Sequence, residues 1–430
     1  MIIPAHALAQ STSPRPAIRL ERLSLDQVLA VAGRLIDAGR YDDALVLLDR
    51  LQADDAGGVE RDFLEAMVAM ARKQYPRAEA LLRKILSRDP DLVRVRLELA
   101  RTLFLEKKDE DADYHFKLAI AQRPPEAVIK NIARFREAIR ARRAWRFNLT
   151  IGIAPDSNIN SATDKERIDI LGLPFKLDPS GRARSGTGII AGGEASIRLL
   201  RNTRMPLYIA AYGRAVRYPD HDFDDIYVGA EAGPELRLSG GRLRVAATGL
   251  ERWYGGRRLV TSLGGRLAFD KVIGGKWGIE ASLAARHNAY ARRDDVDGWD
   301  IEAGLSANRA LSASTLGFAY GSIQRSIAND HGQSNWQARL GVGVLKEIGW
   351  GLRPQFGFEV GRQLNDAPLG LFGTTRRDWR LQASASLYKR DWSVAGFAPS
   401  IRVIWSRTFS SISLYDQKRL RAEFGITKAF

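Results

Sequence analysis

The sequence predicts an N-terminal α-helical repeat domain followed by a 14-stranded antiparallel transmembrane β-barrel. Three observations carry this. From about Leu23 to Arg140, apolar residues recur at helical spacing with a 34-residue period. From Trp145 onward the hydrophobic period falls to two and stays there. The connections between the resulting strands alternate short and long, as turns on one side of an outer membrane and loops on the other do.

The helical half is justified by register. Ala44, Ala78 and Ala112 lie 34 residues apart, and so do Leu48, Leu82 and Phe116. Ala32, Ala66 and Ala100 repeat at the same spacing on the partner helix. Small residues let two helices approach closely, and Pro90 and Pro124 punctuate the passage to the next unit. The pattern resembles the tetratricopeptide family, although the early tryptophan of that consensus is missing. It gives three repeats and a closing helix within a periplasmic domain at 23–144. Such repeats commonly offer a concave surface to a peptide or partner protein. Near the closing helix, Lys130, Arg134, Arg136, Arg140, Arg142, Arg143 and Arg146 face one acid, Glu137. They form a candidate basic patch toward the periplasmic leaflet or an acidic client; a solvated helix face is an equal reading.

The second half, 145–430, divides into fourteen strand-like segments. In Trp379–Leu387 odd positions are apolar and even ones polar. The last strand alternates likewise, with Leu420, Ala422, Phe424 and Ile426 on one face, and it ends on an aromatic carboxy-terminus, Phe430. Lys428 breaks that face at a level where its amine can snorkel to headgroups. Connections after even strands are short, such as Ser239–Gly240 and Glu347–Gly349. Long ones follow odd strands, at Ala154–Ser185, Arg362–Thr375 and Thr408–Gln417. An even strand count returns the C-terminus to the side of the helical domain, so both are expected in the periplasm. Residues 1–22 are expected to be a signal-peptide remnant and flexible lead, with Ala7-Leu8-Ala9 as a small-x-small cleavage pattern.

Within the strands stand Arg198, Arg214, Arg237, Arg244, Arg266, Arg339, Arg380, Arg402 and Arg421. An arginine facing mid-membrane lipid costs about 2–4 kcal/mol, so these are expected to line the lumen. There they would attract an acidic solute or polypeptide, or neutralise acids such as Glu194, Glu231, Glu302, Glu359 and Glu423.

Composition excludes several classes. With no cysteine there is no disulfide framework, thiolate chemistry or cysteine-ligated metal. No run of about 18 apolar residues occurs, which disfavours a helical membrane span. The net charge of +16 is not gathered into a helix-turn-helix or paired metal-ligand reader, so no nucleic-acid partner is expected. His6, His115, His221, His287 and His331 are scattered, and Gly255-Gly256 and Gly274-Gly275 read as turns without phosphate-loop spacing. No nucleophile elbow appears. Catalytic, cofactor and metal residues are therefore not expected.

Two blocks carry a sharper signal: Asp156-Ser157-Asn158-Ile159-Asn160, and Phe397–Arg407 continuing through Leu414-Tyr415-Asp416 to Phe430. With the repeats, they resemble the surface lipoprotein assembly modifier family and its D-S-N-x-N and L-Y-D elements. The resemblance implies periplasmic repeats joined to a fourteen-stranded outer-membrane barrel. It further implies delivery of particular lipoproteins, or of soluble haem- and metal-acquisition proteins, across that membrane. A client would arrive unfolded or held by a periplasmic chaperone, and leave through the barrel alone or with the barrel-assembly machinery. Outer-membrane lipid and lipopolysaccharide are the other expected partners, and the barrel is expected to be monomeric. From the residues themselves, Asp156, Asn158 and Asn160 can cap local turns. Arg402 and Arg407 can pair with acids on neighbouring strands, while Tyr415 and Asp416 fix the final hairpin. The alternatives are a polysaccharide-export porin and a passive porin carrying a periplasmic scaffold.

Overall fold

The computed structural model describes residues 24–51, 58–122, 124–142, 145–200, 203, 205–238, 240–274, 277–348, 350–392, 394 and 397–429. The expected signal remnant, Arg143 and Phe430 lie outside them. Chain packing separates two compact units between Leu81 and Leu82.

Helices α1 (Leu25–Asp37), α2 (Tyr41–Arg50), α3 (Gly58–Ala71), α4 (Tyr75–Arg88), α5 (Val93–Leu105) and α6 (Asp109–Ala121) form three hairpins, followed by α7 (Glu126–Arg142). Ser24 starts α1 with a capping box, accepting from the Gln27 amide while Gln27 accepts from its own. Ala32, Ala66 and Ala100 on the first helices, and Ala44, Ala78 and Ala112 on the second, are completely buried. The hairpin turns reuse one conformation: Gly39, Lys73 and Lys107 have positive φ at 34-residue intervals. That left-handed residue ends each first helix, and only the first hairpin places the unstrained glycine there.

The chain then enters β1 (Trp145–Asp156), makes a small hairpin of β2 (Arg167–Ile170) and β3 (Leu173–Lys176), and returns as β4 (Gly186–Leu199). It continues through β5 (Leu207–Arg217), β6 (Asp225–Leu238), β7 (Gly241–Tyr254), β8 (Arg257–Ile273), β9 (Trp277–Tyr290) and β10 (Gly298–Ala310). The last six are β11 (Thr315–Ala328), β12 (Asn335–Lys346), β13 (Leu352–Leu369), β14 (Thr374–Lys389), β15 (Phe397–Ser410) and β16 (Gln417–Ala429). Fourteen of these strands close into an antiparallel barrel, with β1 bonded to β16 on one side and β4 on the other. Closure removes the free strand edges that lipid could not hydrate.

Alternation sorts the side chains. Ile151, Ile153, Leu283, Leu305, Leu340, Phe356, Phe358 and Trp405 stand exposed on the outer face, where lipid replaces water. Two differences from the sequence reading have physical causes. The β2–β3 hairpin lies inside the long connection after β1, and four-residue strands are too short to show a period. The span Arg362–Thr375 is mostly ladder, because β13 runs to Leu369 and β14 starts at Thr374. Its Asn-Asp-Ala-Pro composition reads as a turn, but an irregularity between Leu364 and Pro368 accommodates the proline.

Candidate functional site

The D-S-N-x-N segment stitches the first strand to the last. Asp156, at the extracellular end of β1, is buried and accepts from Arg419 of β16 at 2.9 Å. The same carboxylate accepts from the Asn158 amide, closing a local turn. Ser157 exchanges two bonds with the Leu420 backbone, donating its amide at 3.0 Å and accepting on Oγ at 2.8 Å. Asn158 is 1% exposed; its Nδ2 donates to the carbonyls of Ala162 and Lys418, and its Oδ1 accepts from the Ala162 amide. Asn160 turns the other way, bonding the Arg182 carbonyl and the Arg184 amide on the return limb to β4. One short segment thus clasps β16 on one side and its own loop on the other.

The clasp is needed because the β1–β16 ladder is interrupted. Pairing runs from Asn148↔Ala429 to Ile153↔Phe424 and resumes only at Asp156↔Arg421. The gap holds Ala154 and Pro155, and proline has no amide to donate. Gly152 faces Gly425 across the same seam, so close that a Cβ on Gly152 would lie 2.3 Å from the Phe424 carbonyl oxygen.

The L-Y-D element closes the neighbouring loop. Asp416 is buried and pairs with Arg407 at 2.6 Å. The Arg376 guanidinium lies 3.8 Å over the Tyr415 ring, while Leu414 and Tyr415 pack on Leu369, Phe372 and Ile412. Ile170 of the β2–β3 hairpin joins the same cluster, and Lys418 pairs with Asp164 at 2.9 Å. Three extracellular loops are therefore bound to one another.

Inside the barrel, Arg198, Arg214, Arg237, Arg244, Arg266, Arg339, Arg380, Arg402, Arg421 and Glu423 occupy inward positions, opposite in parity to the exposed apolar residues of their strands. Most join an arginine–glutamate belt. Arg214 and Arg421 flank Glu423 at 2.5 and 3.1 Å; Arg244 and Arg266 flank Glu231; Arg286 and Arg339 flank Glu302. Arg198 lies 3.2 Å from Glu235. Arg380, Arg402 and Arg237 are exposed and form no ion pair among the described residues. Arg402 has Glu423 as its strand partner, yet that carboxylate is taken by Arg214 and Arg421. Two adjoining cavities of about 340 and 370 Å³ share Thr150, Ile190, Arg402 and Glu423, beside the β1–β16 seam.

Sequence reasoning missed a buried ionic joint between the third hairpin and the barrel's periplasmic turns. Arg96 of α5 is fully buried and donates to Glu347, in the turn after β12, at 3.0 Å. It also donates to His115 Nδ1 of α6 at 3.0 Å, fixing that ring in the tautomer protonated on Nε2. Arg390, below β14, donates to the other Glu347 oxygen at 3.0 Å. Arg353 lies over the Tyr114 ring and 3.6 Å from Asp111, and Ser314 donates to Asp91 at 3.2 Å. Burial would raise the Glu347 carboxyl, but the guanidinium charges of Arg390, Arg353 and Arg96 hold it well below its usual value. Burial pushes His115 well below 6.5, the nearby arginines add to the fall, and Glu347 opposes it. The one available signal is His115, which stands where the 34-residue register places Leu47 and Leu81; Arg96 shares its register with Val28 and Asp62.

The basic run at the domain junction is divided. Lys130 is exposed and pairs with Glu126; Arg134 is exposed. Arg136 instead turns inward to Asp113 at 2.6 Å, and Arg142 donates to Asp109 and lies over Phe104. Burial raises the Asp113 carboxyl, but Lys117 and Arg136 bring it down to about 2. Arg146 stands on the inner face of β1, and the Arg140 side chain, like Arg143, falls outside what is described. These cations do not make a single face.

A closed barrel with an apolar exterior, a charged lumen and the α5–α6 hairpin seated on its periplasmic turns, in a chain that begins with helical repeats, defines an outer-membrane protein with a periplasmic repeat domain. The family model for the surface lipoprotein assembly modifier matches residues 145–430, and that for its N-terminal TPR repeats matches 50–116. The chain belongs to the surface lipoprotein assembly modifier family. It is 24% identical to the Surface lipoprotein assembly modifier of Moraxella catarrhalis over 375 residues, 84% of this chain and 71% of that one. Similarity to Surface lipoprotein assembly modifier 1 of Neisseria meningitidis serogroup B is 23% over 390 residues, 85% and 75% of the two chains. The Hemophilin secretion modulator of Acinetobacter baumannii matches at 22% over 262 residues, 56% of this chain and 52% of that one.

Proposed function

We propose that this protein assists the export or surface display of specific client proteins, lipoproteins or secreted haem- and metal-acquisition proteins, across the outer membrane. Its relatives are named for surface lipoprotein assembly and hemophilin secretion, and that naming supports the client class. The structural observation that carries the proposal is the joint of Arg96, His115, Glu347 and Arg390, which seats a repeat hairpin on the periplasmic rim of the barrel. A repeat domain that captures a client would release it there at the mouth of the barrel. In this reading the helical domain binds the client or its chaperone, and the seam clasp and lumen belt keep the barrel closed between transport events. Energy comes from folding or binding outside the cell, and no catalytic step is part of the proposal.

The test compares cells with and without the gene by protease shaving and supernatant proteomics. Selective loss of one or two proteins from the surface or medium, with periplasmic retention and rescue on complementation, is expected. An unchanged profile under conditions that express the gene overturns the proposal.

A further inference from the structure

Three lipid-facing arginines near the extracellular end lie against aromatic rings. Arg325 is 5.4 Å from the Trp336 ring, Arg362 is 4.7 Å from Trp379, and Arg407 is 4.8 Å from Phe409. Trp336 and Trp379 are the strand partners of Arg325 and Arg362, and both rings are exposed on the outer face. On β13 the outward face reads Phe356, Phe358, Val360, Arg362, so Arg362 stands roughly 20 Å along the strand beyond Phe356. This is the level at which an apolar band gives way to an aromatic girdle and headgroups.

The charges at this level are unevenly neutralised. Arg325 pairs with Asp366, Arg407 with Asp416 and Lys418 with Asp164. Arg362 and Arg377 have no acid among the described residues. Asp378, the residue after Arg377, points inward to Arg376 at 2.6 Å and offers Arg362 only its backbone carbonyl. Arg377 is exposed and is the strand partner of lipid-facing Leu364, one step diagonal from Arg362. Two uncompensated guanidinium groups on a membrane-facing wall require anions from the membrane, and guanidinium forks match phosphate oxygens.

We infer that Arg362 and Arg377 form a phosphate site, flanked by Trp379, for the phosphorylated glycolipid of the outer leaflet. The phosphate is held against the rim, and the acyl chains follow the apolar wall of Phe356, Phe358 and Val360. Trp379 shields the pair from water on one side and strengthens the interaction.

Native mass spectrometry of the full-length protein in detergent tests this, with bis-phosphorylated lipid A, its dephosphorylated form and phosphatidylglycerol as probes. At about 1 kcal/mol per cation, each arginine removed weakens binding roughly fivefold. Arg362→Gln with Arg377→Gln is expected to weaken lipid A binding by roughly 10- to 30-fold on that basis. Arg309→Gln, which removes an outward arginine over Trp277 at the periplasmic end, leaves it unchanged. If the double variant does not fold, Arg377→Gln alone, whose side chain makes no hydrogen bond among the described residues, carries the roughly fivefold loss. Binding by the variants equal to wild type overturns the site. Equally tight binding of dephosphorylated lipid A or phosphatidylglycerol overturns the glycolipid assignment.

Discussion

Asp156 and Asn158 form a buried polar pair at the end of a membrane strand, and each satisfies groups that the interrupted ladder leaves open. Asp156→Asn keeps the size but removes the charge from the Arg419 contact, and charged hydrogen bonds contribute about 1.5–3 kcal/mol. The expected outcome is a loss of that order, read as a lower temperature of the folded-to-unfolded mobility shift on gels. Asn158→Ala strips two donors and an acceptor from a site 1% exposed and is expected to cost about 1–3 kcal/mol. The sequence marked these residues as turn-formers, but their partners at 418–420 lie more than 250 residues away and left no local trace. His115 makes the converse point. Its ring is held neutral, so the unfolded chain takes up a proton below pH 6.5 that the folded seat refuses. Stability of the seat is present above that value and falls on acidification, by up to about 1.4 kcal/mol per pH unit for one proton. Glu347, also depressed, adds to the loss only below its usual 4.5. Hydrogen exchange across α5 and α6 at pH 7.5 and 5.5 is expected to show protection lost at the lower pH, with His115→Gln flattening the difference.

At the scale of elements, periodicity was legible wherever one face of a strand or helix is uniformly apolar. The 34-residue alanine registers became fully buried hairpin contacts, and the alternation of Trp379–Leu387 became part of β14. What stayed illegible were the breaks in pattern. The extension of β13 past Leu364 hides behind turn-like residues, and the β2–β3 hairpin behind its brevity. The seam between β1 and β16 is the element on which closure depends. Gly152→Val places a Cβ where the Phe424 carbonyl already sits, and overpacking of this kind costs about 1–3 kcal/mol. We expect a reduced folded fraction of barrel in purified membranes, read by gel mobility before and after boiling. An equivalent substitution at Gly370, with open space around its Cβ position, is the control and leaves folding intact.

For the whole molecule, charge is organised by compartment. Most arginines in the lumen are matched to glutamates, Arg325 and Arg407 at the extracellular rim to loop acids, and those at the periplasmic rim to Glu347 and Asp111. The excess of +16 is therefore divided among these levels and is not gathered on one basic face. Sequence reasoning assigned these cations to the lumen because lipid disfavours them on the mid-membrane wall. It missed the periplasmic joint because its members come from α5, α6 and two distant turns, and only the fold brings them within hydrogen-bond reach. The joint also gives the account its most direct test. In cells carrying an identified client, Arg96→Gln with Glu347→Gln is compared with wild type, with barrel folding verified by gel mobility and client exposure by protease shaving. A folded barrel in the outer membrane and a client retained in the periplasm are expected. Client exposure at the wild-type level with the joint severed would contradict it.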